Sequence, residues 1–182
     1  VTEPDPEELV RSLPWPVRPG DDAELAQLCA ADQADRPGGA RLAPGVGDRD
    51  RVRRARVVEL LDSGRTFSAA DRFHAALVLQ HGDQPQDHLL AHHLALSAAD
   101  AGHPSARWLS AAALDRHLMR LGRPQRFGTQ FVDRGPGWCL HEVDPMVTDE
   151  ERAAWDVPPL AAALERAAAM NSVIPEHPPP GR

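Results

Sequence analysis

The chain has 182 residues, no Tyr, two Cys and no Lys, so all 20 of its basic side chains are Arg. The two thiols, Cys29 and Cys139, offer neither a framework of bridges nor a CxxC metal knuckle, and the expected setting is a reducing cytoplasm. Aromatic residues make up 4% of the sequence. A core must therefore be built from Ala, Leu and Val, anchored by four Trp and four Phe. Ala and Leu favour helix, which tilts the fold class the same way. No apolar run is long enough to cross a bilayer, and the start of the chain lacks a secretory pattern. Surplus positive charge is missing as well: the net charge is −7 with His neutral. Nucleic-acid binders need basic surface for phosphate contacts, so neither nucleic acid nor membrane is expected as a partner; the oligomeric state is left open. The Arg bias with abundant Ala, Pro and Gly is the usage of a high-GC bacterial genome and carries no chemistry. One basic run is present: Arg49, Arg51, Arg53, Arg54 and Arg56. On a helix these spread around the circumference among Asp48, Asp50 and Glu59, which predicts a solvated face rather than a phosphate strip.

Five Pro residues between 1 and 20 predict a Pro-rich N-terminal arm, with Trp15 able to dock on the body. A single helical domain is expected over 21–172 and a flexible tail over 173–182. The first helix follows Asp21, with Leu25, Leu28 and Cys29 at helical spacing, and stops at Pro37. In the second, "DRDRVRRARVVELLDSG", Val52, Ala55, Val58 and Leu61 make the predicted inner strip, closed by Gly64. The third, "TFSAADRFHAALVLQHG", is capped by Thr66 or Ser68. The fourth and fifth, "PQDHLLAHHLALSAADAG" and "HPSARWLSAAALDRHLMRLG", are joined by short links that force antiparallel neighbours. Beyond Gly122 the pattern turns irregular, with a candidate hairpin around 135–137. A last helix over about 149–171 is kinked or split at Pro158-Pro159. The expected fold class is all-α: an antiparallel bundle of five to six helices, with an irregular or hairpin segment near 124–145. Its helix pairs faintly resemble Sel1 or tetratricopeptide repeats, but no fixed period recurs.

Polar groups interrupt the apolar strips. Phe67, Ala70, His74, Leu77 and His81 share one helix face, and His81 ends that helix beside Gln80, before a Gly turn. An imidazole there is a candidate acid or base near neutral pH. On the fifth helix Asp115 shares a face with Trp108, Ala111, Ala112 and Met119, and a buried carboxylate needs partners. His88 and His92, in "HLLAH", have the i, i+4 spacing that can hold a metal. The Glu of an HExxH motif is missing, however, so solvated or core His is the expectation, and no metal or cofactor is assigned. Cys139 lies two residues from His141, a spacing poorly suited to a nucleophile and its base.

Four short boxes occur in order: "DQADR" at 32–36, "QHGD" at 80–83, "LDR" at 114–116 and "PQRFGTQF" at 124–131. Together they resemble an uncharacterised bacterial domain family with Asp-Gln and Gln-His boxes, an Asp-Arg pair and a terminal Gln-x-Tyr-Gly-Thr-Gln box. The resemblance spans residues 30–132, and Phe127 stands where that family has Tyr. It implies positions rather than a reaction: Asp32, Gln33, Arg36, Gln80, His81, Asp115, Arg116, Gln125, Thr129 and Gln130.

These residues suggest a polar pocket at one end of the bundle. As a small-molecule enzyme or binding protein, the chain would use His81 as acid/base, oriented by Asp115 or a Gln. Arg36 or Arg116 would hold an anionic group of the ligand, since guanidinium meets carboxylate or phosphate bidentately. Gln80, Gln125, Thr129 and Gln130 would add neutral hydrogen bonds. Two alternatives remain open: a helical adaptor whose polar cluster is structural, and a His-rich metal-binding bundle.

Overall fold

The computed structural model describes residues 21–36, 42, 44–65, 67–135 and 137–172. The expected Pro-rich arm and tail, and the candidate cap Thr66, lie outside them. The described residues form seven helices and one small sheet: α1 (Ala23–Ala34), α2 (Val46–Asp62), α3 (Ala69–Leu79), α4 (Pro85–Asp100), α5 (Ala106–Arg120), β1 (Phe131–Asp133), β2 (Trp138–Leu140), α6 (Asp149–Ala154) and α7 (Leu160–Ser172). The all-α expectation holds, including the hairpin and the break at Pro158-Pro159. No helix among the described residues is long and apolar enough to cross a membrane.

Local chemistry sets the helix ends. The Asp22 carboxylate accepts from the Glu24 and Leu25 N–H groups at the start of α1. Ser68 and Asp71 form a reciprocal capping box on α3. Asp71 also accepts from the Asp22 N–H at 2.6 Å, which ties the two helix starts together. Pro85 occupies the first turn of α4, where its missing N–H costs nothing.

Helices α3, α4 and α5 pack in succession, with α1 and α2 laid against α3. Ala75, Ala76, Ala91, Ala95 and Ala113 keep these axes close, and Leu25, Val57, Phe67, Leu79, Leu94 and Leu109 fill the spaces between them. A second apolar cluster, formed by Ala111, Phe127, Val147 and Val157 with Leu114 and Trp155, seats the segment after α5. In the hairpin Phe131 faces Leu140. The Asn171 side chain of α7 brackets the Trp138 backbone, accepting from its N–H at 2.7 Å and donating to its carbonyl at 2.8 Å.

The inner strip of α2 differs from the predicted one. Val52 is 69% exposed and Val58 38%, whereas Val46, Asp50, Arg53, Val57 and Leu60 are buried. Hydrophobic periodicity misplaces the strip because part of this seam is ionic. Arg53 pairs with Asp50 and Asp35, Arg36 with Asp50, and Arg49 with Asp35. The other arginines of the basic run are paired too: Arg51 with Asp48, Arg54 with Asp83, and Arg56 with Glu24 and Glu59. The run is thus a set of ion pairs, several of them between helices, rather than a merely solvated face.

Candidate functional site

His81 sits in the turn that follows α3. Its carbonyl accepts from Arg54 at 3.1 Å. Its Nδ1 lies 3.0 and 3.3 Å from the two oxygens of Asp32, in the last turn of α1. Asp32 is fully buried and also accepts from Gln33 and Arg36, each at 2.9 Å. A carboxylate can only accept, so the Asp32 contact places the proton on Nδ1 and leaves Nε2 with its lone pair. Burial lowers the His81 pKa, the Asp32 contact opposes that, and the charges of Arg36 and Arg116 add to the lowering. The imidazole is therefore neutral and basic near pH 7.

The turn around His81 has little room. A Cβ on Gly82 would lie 2.3 Å from the Cβ of Asp87 on α4. Gly82→Ala should therefore displace the turn and lower stability by about 1–3 kcal/mol, as overpacking does. Urea unfolding checks the stability, and the NMR shifts of the His81 ring check the displacement.

The partner expected to orient His81, Asp115, does something else. Its Oδ1 accepts from the Arg126 and Phe127 N–H groups at 2.7 and 2.8 Å. Its Oδ2 accepts from the Thr129 N–H at 3.0 Å and the Thr129 hydroxyl at 2.7 Å. Burial raises the Asp115 pKa, and the four donors oppose the rise. With both oxygens filled, Asp115 clamps the loop over 126–129.

Gln125 and Thr129, expected to bind substrate, are engaged inside the same loop. The Gln125 side chain accepts from the Gln130 N–H at 2.8 Å and donates to the carbonyls of Gln130 and His141. The Thr129 hydroxyl, besides donating to Asp115, accepts from Gln130 Nε2 at 2.9 Å. Phe127 is buried against Trp155, with ring centroids 5.2 Å apart, so this position packs and needs no phenol. The polar box at 124–131 is first of all a self-bonded loop, and Gln130 is its one amide that reaches a cavity.

That cavity, of about 250 Å³, is lined by His88, Arg116, Met119, Arg120, Gln130 and Phe131. Arg116 has its Nε shut off from solvent without a hydrogen-bond partner, and it makes no ion pair among the described residues. Every other described arginine that is not exposed donates to an oxygen: Arg36 to Asp32 and Asp50, Arg53 to Asp35 and Asp50, Arg54 to Asp83, Arg72 to Ser97, Arg152 to Val147 and Phe127. Burial, then the charges of Arg36 and Arg120, lower the Arg116 pKa. Of the two guanidiniums expected to hold an anion, Arg36 is occupied by carboxylates and Arg116 is not.

His88 is 2% exposed, and neither of its ring nitrogens makes a full hydrogen bond. The Gln80 carbonyl offers it a weak backbone contact. Burial, with the charges of Arg116 and Arg120, pushes its pKa down to about 4. Arg116 thus acts electrostatically on both imidazoles, His81 and His88. Gln80 itself is buried as the C-terminal cap of α3.

The remaining candidates separate. His92 Nδ1 lies 2.9 Å from the Ser110 hydroxyl, and among the described residues no three His, Cys, Asp or Glu side chains are placed to share an ion. Cys139 donates weakly to the Val132 carbonyl across the hairpin. Burial and the Asp32 charge push the Cys29 thiol up to about 11, which leaves it unreactive.

Sequence reasoning undervalued three residues. Asp32 carried an i, i+4 relation to Arg36, on a helix end facing His81. His88 reads from its spacing as a metal ligand or a solvated or core His, not as part of an anion site. Arg120 lies four residues after Arg116 on α5, and like charges at that spacing are unfavourable on a helix unless something anionic comes between them. No family model, curated protein or solved structure matches the chain.

Proposed function

We propose that the chain binds a small anionic molecule in the cavity beside Arg116 and that His81, held by Asp32, serves as acid or base toward it. The observation that carries this reading is Arg116, which meets no carboxylate or carbonyl among the described residues and whose buried Nε has no hydrogen-bond partner. A chain that pairs or hydrogen-bonds its other non-exposed arginines keeps this one unsatisfied at a cost, and an anionic ligand offsets that cost. His81 does not line the cavity, but Asp32 fixes its Nδ1 and the Arg116 charge reaches its ring, which supports the chemical half of the reading. The residues resembling the QxYGTQ-type family divide between two tasks on this reading. Asp32, His81 and Arg116 serve the ligand, while Asp115, Gln125 and Thr129 hold the wall. The adaptor reading takes its support from that second group, whose hydrogen bonds close on one another.

The two readings differ in the sign of one effect. Arg116→Met removes an unpaired, partly buried charge and keeps the packing of the stem. It should stabilise the ligand-free protein by about 1–2 kcal/mol. The same variant should lose the stabilisation that an anion gives the wild type, about 2.7 kcal/mol at a hundredfold excess over Kd. Chemical unfolding with and without added anion measures both. A variant less stable than wild type with an undiminished anion response would show that Arg116 is structural.

A further inference from the structure

The anion reading leaves the class of anion open, and the cavity wall narrows it. Resting on that reading, we infer that the cavity takes a phosphoryl group, the dianionic end of a phosphate monoester, gripped by Arg116, Arg120 and His88, with the rest of the molecule against Met119 and Phe131.

A carboxylate carries one charge and two oxygens, and one guanidinium satisfies it bidentately. A phosphate monoester carries about −1.5 to −2 and three acceptor oxygens near pH 7. The cavity presents two guanidiniums, and no acidic side chain lines it. Its third polar wall is the His88 imidazole, nine-tenths or more buried and without a full hydrogen bond on either nitrogen. A single Arg would suffice for a monoanion. Two Arg and an unspent imidazole around about 250 Å³ match a dianion with three oxygens.

The surroundings do not neutralise the set. Asp87, on the same helix as His88, has its Oδ2 engaged by the Gln84 N–H and lies 3.8 Å from Arg54 Nε. Among the described residues, the Asp87 charge and the Gln80 carbonyl at the end of α3 raise His88, and the two arginines of α5 lower it by more. Gln130 adds an amide whose Nε2 is committed to Thr129 and Ala112. Its Oε1 accepts nothing among the described residues and can receive an N–H or O–H of the ligand.

The test is calorimetric titration of the full chain at low ionic strength near pH 7.5 with three probes: inorganic phosphate, acetate and chloride. Phosphate should bind at one site, about tenfold or more tighter than acetate, with chloride silent. Arg120→Ala is the informative variant, because Arg120 is exposed and its loss leaves the fold intact. It should weaken phosphate about tenfold and acetate by less than about threefold. Equal affinity for acetate and phosphate, both abolished by Arg116→Met and indifferent to Arg120→Ala, would overturn the phosphoryl assignment while sparing the anion site. Silence from all three probes would remove the anion site as well.

Discussion

Asp115→Ala should lower the unfolding free energy by about 3–5 kcal/mol, because three backbone N–H groups and one hydroxyl lose their common acceptor in a buried place. Water cannot replace the carboxylate at every one of these sites, since Phe127 is 1% exposed and Asp115 itself fully buried. Asp115→Asn should recover little of the loss. An amide offers one oxygen, and its NH2 would turn toward the N–H and hydroxyl of Thr129, donor against donor. By contrast, Asp48→Ala, which removes an exposed partner from Arg51, should change stability by less than about 0.5 kcal/mol. Urea unfolding followed by Trp fluorescence reads all three variants, and Trp155, tilted against Phe127 with ring centroids 5.2 Å apart, reports on the loop directly. A loss below about 1 kcal/mol for Asp115→Ala would mean that the loop keeps its shape without the clamp. The substitution would also loosen Gln130 and Phe131, which follow the clamped turn and line the cavity.

The helices were legible because their signals are local. Ser68 before an acidic third residue, Pro85 in a first turn and Pro158-Pro159 between two Ala-rich stretches each act within one turn of chain. The α2 face was illegible for the opposite reason. Arg53 and Asp50 are buried only because Asp35 and Arg36 arrive from another helix, and periodicity treats them as solvated. The candidate site divides in the same way. A polar cluster between two Phe was visible at 124–131, but nothing in the order of residues distinguishes an amide that closes a loop from one that faces a ligand. Gln125 and Gln130 differ in just this respect: the first closes the loop through Gln130 and His141, and the second also lines the cavity. The sequence offers Asp115 or a Gln as the group that orients His81. The carboxylate beside the imidazole is Asp32, 49 residues earlier, since the last turn of α1 lies at the end of α3 whereas Asp115 turns to the following loop.

Acid should expose His88. In the fold its pKa lies at about 4, against an ordinary value of 6.5 in the unfolded chain. Above pH 6.5 the ring is neutral in both states and the fold keeps its full stability. As pH falls below 6.5 the unfolded chain takes up a proton that the folded chain refuses, and stability drains away until pH reaches about 4. Between about pH 7 and pH 4.5 this single group should cost about 2–3 kcal/mol. His81 and His103, both also lowered, act in the same direction, and Asp115, raised, acts against them. His88→Leu isolates the term, because the variant keeps every other titrating group. Urea midpoints at the two pH values should fall much further in the wild type than in the variant, and equal falls would show that His88 titrates normally in the fold. The cavity adds a second readout. Sulfate, a dianion throughout this range, would shield His88 from the guanidiniums of Arg116 and Arg120 and restore part of its basicity. Saturating sulfate should therefore shrink the acid loss of the wild type more than that of His88→Leu, which ties the titration of a buried imidazole to the occupancy of the site beside it.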